Sequence, residues 1–437
     1  VSVLKGLEDA MDGKAKILYA KGCELVDENW PDSEILPADP TKEELKQMEE
    51  AVRLARKADA VIAVLGGGQR TCGENKSRTS LDLPGHQELL LKKLSATGKP
   101  VVLVLINGRP LSINWADEHI PAILEAWYPG SHGGTAVADV IFGDYNPGGK
   151  LTVTFPKTVG QIPFNFPCKP NSQVDGASGV GPQGRQSRVH GALYDFGHGL
   201  SYTTFEYSSL ELSSKTISPT DSVSLSFTLK NTGSRKGDEV VQLYVHDVLS
   251  SITVYEKVLR GFERVSLEPG ESKKISFTLT PKDLSLLDAD FRRIVEPGEF
   301  EIMIGASSKD IRLSERLLVD DGTGVARLLY PDDASSVKTT FPAKVSESED
   351  VTAPVSEGKM IRSLGINWGP ETDCSFEILW TNGGGQFLPV YRGHMSADGK
   401  AERRIYDFEP VAASEIRVAV TKGSATILSL ESDVIKL

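Results

Sequence analysis

The chain reads as a multidomain protein: an α/β sandwich built on a mostly parallel sheet, followed by two β-sandwiches. Three observations predict this. The length, 437 residues, corresponds to about two to four domains at roughly 100–200 residues each. Up to about residue 156, short apolar runs alternate with helical patterns, the signature of strands buried on both faces and covered by helices. From about Phe205 the apolar period changes to two, the spacing of antiparallel strands with one face on a core. The expected domains are residues 1–165, 201–320 and 321–437, with 166–200 as a linker or a loop that wraps a site.

In the first region, residues 15–20 are a strand candidate. Thr41-Lys42-Glu43-Glu44 has the form of a capping box, and Leu45, Met48, Val52 and Ala55 follow on one helical face. Residues 60–65 are apolar throughout, as a buried parallel strand requires, and end in Gly66-Gly67-Gly68. Residues 87–94 predict a helix that stops at Gly98 and Pro100. Residues 101–106 and 122–127 predict two further strands, and 132–142 a helix.

In the second region Val223, Leu225, Phe227 and Leu229 alternate with polar residues, as do Ile275, Phe277 and Leu279, and Phe300, Ile302 and Ile304. Asn231-Thr232-Gly233 and Pro269-Gly270 supply turns between them. In the third region Phe376, Ile378 and Trp380 alternate before Gly383-Gly384-Gly385. Ile416, Val418 and Val420 form another strand, and a last one runs through Ile427 and Leu428. Residues 347–357 read as a solvated loop, and 157–191 lose all periodicity in Gly, Pro, Ser, Gln and Asn.

Composition excludes several functions. Lys and Arg number 48 against 60 Asp and Glu, a net charge of −12. No positive field therefore draws the chain to nucleic acid. No apolar run approaches the roughly 20 residues of a membrane-spanning helix. Cys23, Cys72, Cys168 and Cys374 lack the close spacing of metal or redox motifs, and whether Cys23 and Cys168 pair stays open. The glycines after residue 65 lack the Gly-Lys-Ser/Thr of a phosphate loop, and no nucleophile elbow or paired-histidine motif occurs. The start at Val1, without Met or a leader-like stretch, is expected of a piece of a longer chain.

One loop carries candidate chemistry. Arg70, Thr71, Glu74, Asn75, Lys76 and Arg78 place one carboxylate among three cations after a strand end, where open α/β sheets bind ligands. The alternative is a surface ion-pair cluster. Trp127 and Tyr128 supply either core packing or a flat platform for a sugar ring, and Trp368 and Trp380 carry the same ambiguity.

The run Arg78-Thr79-Ser80-Leu81-Asp82-Leu83-Pro84-Gly85-His86-Gln87 resembles a signature of the second domain of glycoside hydrolase family 3. Ile106-Asn107-Gly108-Arg109-Pro110, Ala126-Trp127-Tyr128-Pro129-Gly130 and Asp144-Tyr145-Asn146-Pro147-Gly148-Gly149-Lys150-Leu151 are similar to its other motifs. Phe196-Gly197-His198-Gly199-Leu200-Ser201-Tyr202-Thr203, Gly237-Asp238-Glu239-Val240-Val241-Gln242-Leu243-Tyr244-Val245 and Leu259-Arg260-Gly261-Phe262 resemble the fibronectin-III-like domain that follows in that family. The resemblance covers about residues 1–318. Phe408-Glu409-Pro410-Val411 and Ser414-Glu415-Ile416-Arg417-Val418 resemble a galactose-binding, discoidin-like β-sandwich.

The family resemblance implies a retaining exo-acting β-glucosidase of two carboxyl groups and no cofactor, secreted or periplasmic, working on oligosaccharides. Its nucleophile, an Asp, comes from a (β/α)8 barrel that precedes this region in the family. The resemblance makes Glu74 the general acid/base and Arg78 a supporting residue that orients a loop carboxylate, with Asp82 and Glu88 as rival carboxylates. It also implies that Trp127 belongs to the α/β core, and that residues 161–191, with Arg185 and Arg188, wrap toward the barrel. β-Xylosidase is the alternative activity. A non-catalytic carbohydrate-binding or structural fragment is the alternative class.

Overall fold

The structure is a computed structural model that describes residues 1–170, 189, 191–289, 292–329, 337–347, 349–354, 359–381, 386–397, 399–411 and 413–436. It divides into two units, Val1–Leu284 with Pro297–Gly324, and Ser285–Glu296 with Val325–Leu437.

The first unit opens with α1 (Val3–Ala10), capped by the Ser2 hydroxyl on the Lys5 N–H. α2 (Lys42–Ala55) begins with the expected capping box: the Thr41 hydroxyl accepts from the Glu44 N–H, and Glu44 Oε2 accepts from the Thr41 N–H at 2.8 Å. Its inner face is Glu44, Met48, Ala51 and Ala55, whereas Leu45 faces solvent. β1 (Val61–Gly66), α3 (Gln87–Ser95), β2 (Val101–Ile106), α4 (Asn114–His119) and β3 (Ala122–Glu125) then alternate. The strands form a parallel sheet in the order β1-β2-β3, with Val61 opposite Val101 and Val102 opposite Ala122. Met48, Leu91, Leu103 and Leu105 fill the core beside it.

Residues 15–20, expected as a strand, form none. A parallel strand needs burial on both faces, and here Leu18 and Tyr19 are exposed. α5 (Gly133–Phe142) ends at Gly143 in the left-handed conformation. It meets α1 backbone to backbone: a Cβ on Gly6 would run into the Gly134 carbonyl, and one on Gly134 into the Ser2 carbonyl.

Residues 143–200 join this domain to a β-sandwich in the same unit. Lys150 pairs with Glu239 at 2.8 Å, both side chains nearly buried, and also donates to the Gly199 carbonyl. Asn146 donates to the Lys236 carbonyl and accepts from Ser201 and the Tyr202 N–H. Residues on either side of 171–188 return to one another. Phe155 bridges to Tyr194, Gln161 donates to the Gly191 carbonyl, and Phe166 stacks on Phe196. Arg185 and Arg188 lie outside the described residues.

The sandwich has two sheets. β4 (Phe205–Leu212), β6 (Val223–Asn231) and β9 (Ser272–Leu279) form one, in the order β4-β6-β9. β5 (Thr216–Ile217), β7 (Gly237–Asp247) and β8 (Val258–Leu267) belong to the other, with β12 (Gly298–Gly305) and β13 (Ile311–Val319), in the order β5-β13-β12-β7-β8. The period-two residues Val223, Leu225, Phe227, Leu229, Ile275, Leu279, Phe300, Ile302 and Ile304 are buried, as alternation requires. Buried Asn231 holds the turn after β6: its Oδ1 accepts from Thr203 and Gly233, and its Nδ2 donates to the Arg235 and Leu267 carbonyls. Helix α6 (Pro281–Leu284) closes the first unit's run.

In the second unit, β10 (Leu286–Leu287), β11 (Arg293–Val295) and β14 (Arg327–Leu328) make a small antiparallel sheet. This differs from the expected boundary at residue 320, because β11 pairs with β14 and so draws 285–296 into the second unit. The main sheet contains β15 (Val337–Ser346), β16 (Asp350–Pro354), β17 (Lys359–Trp368), β18 (Asp373–Thr381), β19 (Leu388–Ser396), β20 (Glu402–Val411) and β21 (Glu415–Lys436). The two strands expected after residue 414 are one, β21, flanked by β18 and β16 along its first half and by β17 and β15 along its second. Gly423, with φ 85°, lets it pass Asp373 without a break. β16 lies inside the stretch expected as a solvated loop. Trp368 is fully buried and donates to the Tyr406 hydroxyl at 3.0 Å, and Trp380 packs against the same core. The platform reading of Trp368 is therefore replaced by a core role.

Candidate active site

The loop between β1 and α3 is built from its ends inward. It leaves the sheet at Gly66, whose φ of 134° only glycine adopts readily and where a Cβ would collide with the Ile106 carbonyl. Gln87, the first residue of α3, clips that exit. Its Oε1 accepts the Gly66 N–H at 2.7 Å, and its Nε2 donates to the Gly66 and Leu25 carbonyls at 2.8 Å. The Gly-rich step thus serves a tight exit. Buried Thr71 then folds the chain back, its hydroxyl accepting from the Gly68 N–H while Gly68 O accepts from Thr71 and Cys72.

Glu74 sits at the exposed turn that follows, between Gly73 with φ 133° and Asn75 with φ 57°. The positive φ on either side turns the chain sharply at this residue.

The descending limb is fixed by Arg78, which pairs with Glu34; the two side chains are only 3% and 7% exposed. Arg78 also donates to the Asp82 carbonyl at 3.0 Å, and its guanidinium lies 5.1 Å from the centre of the Trp30 ring. Glu34 Oε2 accepts from the Thr79 N–H and hydroxyl at 2.9 and 3.1 Å. The carboxylate that Arg78 meets is Glu34, in the short helical turn Asp32–Glu34. Glu34 was not legible in the sequence, where it is one acidic residue in a polar stretch forty-odd positions away.

The rival carboxylates are engaged locally. Asp82 accepts from the Ser80 hydroxyl at 2.6 Å, and Glu88 pairs with Lys92 one turn along α3. Trp127 packs on Phe155 with ring centres 5.8 Å apart, while Tyr128 next to it is half exposed. All four cysteines, including Cys23 and Cys168, are free thiols.

Three further titratable groups border the loop. His86 sits between two acceptors, Nδ1 at 3.1 Å from Glu44 Oε1 and Nε2 at 2.9 Å from the Ala38 carbonyl. Only the doubly protonated ring can donate to both. Burial works against that charge, but the bonds to Ala38 and Glu44 outweigh it and raise the pKa of His86. Burial likewise opposes the Glu44 charge, yet bonds from Thr41 and His86 hold its carboxyl below the usual range. Glu125, at the carboxyl end of β3, accepts from the Trp127 N–H and from Asn107, and burial pushes its pKa up to about 7. A signal for it was present: it is the one charged residue in the apolar run 122–127.

The site is thus a parallel α/β domain with one exposed carboxylate, Glu74, on a loop held at Gly66 by Gln87 and at Arg78 by Glu34. Residues 1–202 match the glycosyl hydrolase family 3 C-terminal domain, and residues 239–308 match the fibronectin type III-like domain. The chain belongs to glycosyl hydrolase family 3 and carries that family's C-terminal domain. A β-xylosidase of Formosa agariphila is 46% identical over 309 residues, 71% of this chain and 40% of that protein. A periplasmic β-glucosidase of Salmonella typhimurium is 41% identical over 328 residues, 71% of this chain and 42% of that protein. Among solved structures, a β-glucosidase from Erythrobacter marinus superposes with a TM-score of 0.64 at 37% identity, covering 73% of this chain and 43% of that one. The chain thus spans about two fifths of the length of the curated relatives it matches.

Proposed function

We propose that this chain is the C-terminal portion of a retaining, exo-acting β-glucosidase, and that Glu74 is its general acid/base. The observation that carries the reading is the placement of Glu74: an exposed carboxylate at the summit of a loop fixed at Gly66 by Gln87 and at Arg78 by Glu34. Retaining hydrolysis needs two carboxyl groups about 5–5.5 Å apart. An Asp of a (β/α)8 barrel in the full-length protein attacks the anomeric carbon while Glu74 protonates the leaving oxygen. Glu74 then takes a proton from the water that releases the sugar. The charge of the barrel carboxylate keeps Glu74 protonated before attack, and its loss in the glycosyl-enzyme frees Glu74 to act as base.

The substrate on this reading is the terminal non-reducing β-D-glucosyl residue of an oligosaccharide, and the work is polysaccharide degradation in the periplasm or outside the cell. The relative named as a periplasmic β-glucosidase supports that location. A β-xylosidase is the second reading, favoured by the 46% identical relative of that name. For the C-terminal unit the proposal is a galactose-binding, discoidin-like β-sandwich that either binds carbohydrate or packs against a neighbour, resting on the motifs at 408–411 and 414–418.

The test is turnover of alkyl β-glucosides and β-xylosides, whose poor leaving groups need a proton, by the full-length protein and its Glu74→Gln variant. Loss of at least about a hundredfold on the preferred glycoside supports the assignment. Activity unchanged in Glu74→Gln overturns it. The ratio of the two sugars separates the two readings.

A further inference from the structure

The loops that leave the carboxyl ends of β1, β2 and β3 are tied together, and the tie starts at a carboxyl group outside the two-carboxylate chemistry. Glu125 is the last residue of β3 and is half-buried. Its Oε1 accepts the Trp127 N–H at 2.9 Å, and its Oε2 faces Asn107 Nδ2 at 3.3 Å. Asn107 is 1% exposed and directs the same Nδ2 to the Arg109 carbonyl at 2.8 Å. Arg109 in turn donates from a terminal guanidinium nitrogen to the Lys76 carbonyl at 2.9 Å. Lys76 follows Glu74 by two positions.

A second tie grips the loop before Glu74. Gly108 has no side chain, and a Cβ there would lie 2.6 Å from the Cys72 sulfur and 2.6 Å from the Tyr128 ring. The residues after β2 therefore bond the loop backbone after Glu74 and pack against the Cys72 side chain before it. Those residues are held by Asn107, and Asn107 by Glu125. Trp127 adds a mark of constraint: its φ of 51° is one that bulky residues rarely adopt, and the Glu125 carboxylate holds its N–H there.

A carboxyl is a costly group to withdraw from water at a strand end. A neutral side chain would cost less. What a carboxyl offers here is two oxygens facing two donors at once, whereas one end of Gln is itself a donor.

We propose that Glu125 is a positioning residue for catalysis: through Asn107 and Arg109 it fixes the backbone that carries Glu74. The inference rests on the assignment of Glu74 as the acid/base. Displacing a catalytic group by about an ångström costs up to about a hundredfold in rate, so the loop's support is part of the rate.

The experiment compares Glu125→Gln, Arg109→Ala, the double variant and Glu74→Gln in the full-length protein. It reads steady-state kinetics on the preferred alkyl glycoside, whose poor leaving group needs a proton, and amide hydrogen exchange across residues 72–78. Glu125→Gln is expected to lower kcat about tenfold or more, to leave KM within about twofold, since substrate binding is untouched, and to speed exchange in the loop. Arg109→Ala, which cuts the tie at its outer end, gives the same signature. The double variant loses no more than the worse single one, because both act through one chain. If Glu125→Gln fails to fold, Arg109→Ala still decides. Unchanged kcat and unchanged exchange in Arg109→Ala, with Glu74→Gln crippled, overturns the positioning role. A harmless Glu74→Gln overturns the acid/base assignment instead, so the two failures are distinguishable.

Discussion

Arg78 and Glu34 form a buried ion pair that fastens the candidate catalytic loop to the segment 30–34, with Trp30 covering the guanidinium. Removing one member leaves the other charge buried and unpaired, which costs about 3–5 kcal/mol. Glu34→Gln and Arg78→Ala are each expected to lower stability by that amount, read as a fall in the urea midpoint. Arg78→Lys should recover only part of it, since an ammonium cannot both pair with Glu34 and lie flat on Trp30. A variant as stable as the parent would contradict the assignment of this pair.

The His86–Glu44 contact predicts a stability window in pH. The folded pKa of His86 is raised, so its contribution is full below about 6.5 and fades as pH rises through the higher folded value. The folded pKa of Glu44 is lowered, so its contribution is present above about 4.5 and fades as pH falls through the lower folded value. Melting temperatures across pH should therefore decline on both sides. His86→Ala should flatten the alkaline limb and also weaken the acid limb, where the Thr41 bonds alone then hold down the Glu44 carboxyl. An alkaline limb of equal slope in His86→Ala would count against the doubly protonated ring.

Glu125 acts with the opposite sign to an ordinary ion-paired acid. Its pKa rises on folding from 4.5 to about 7, so between those values the folded state binds more protons and stability falls as pH rises. Urea unfolding of Glu125→Gln should lack that slope. The same slope in the variant would place the titration elsewhere.

The crossing of α1 on α5 depends on Gly6 and Gly134. Gly134→Ala forces the helices apart and is expected to cost about 1–3 kcal/mol by overpacking, measured as a loss of thermal stability. An unchanged melting temperature would show that the helices shift freely.

Much of this arrangement was legible in the sequence wherever one local rule decided the outcome. The capping box at Thr41, the parallel strands at 61–66 and 101–106, and the alternation of β6, β9 and β12 depend on neighbours in sequence, although the first strand is not buried on both faces as expected, Val64 being exposed at the sheet edge. Residues 15–20 have a strand's composition and stay outside the sheet, because burial is decided by what packs on them. Residues 347–357 have a loop's composition and contain β16, because β21 offers an edge to pair with. At the candidate site, motif resemblance picked out Glu74 and Arg78. The partner of Arg78 could not be read, since Glu34 comes from a distant segment. Glu125 was visible as a charge in an apolar run, but its two donors, Trp127 and Asn107, are brought to it only by the packing of β2 on β3.

The central claim is that Glu74 donates the proton to the leaving group. The measurement that tests it most directly is kcat/KM of the full-length protein and Glu74→Gln across aryl glycosides whose leaving groups differ in pKa. Protonation matters most where the leaving group is a poor one. Glu74→Gln should lose at least about a hundredfold on alkyl-like leaving groups and little on a nitrophenolate. An equal loss across the series, or none, would contradict the claim.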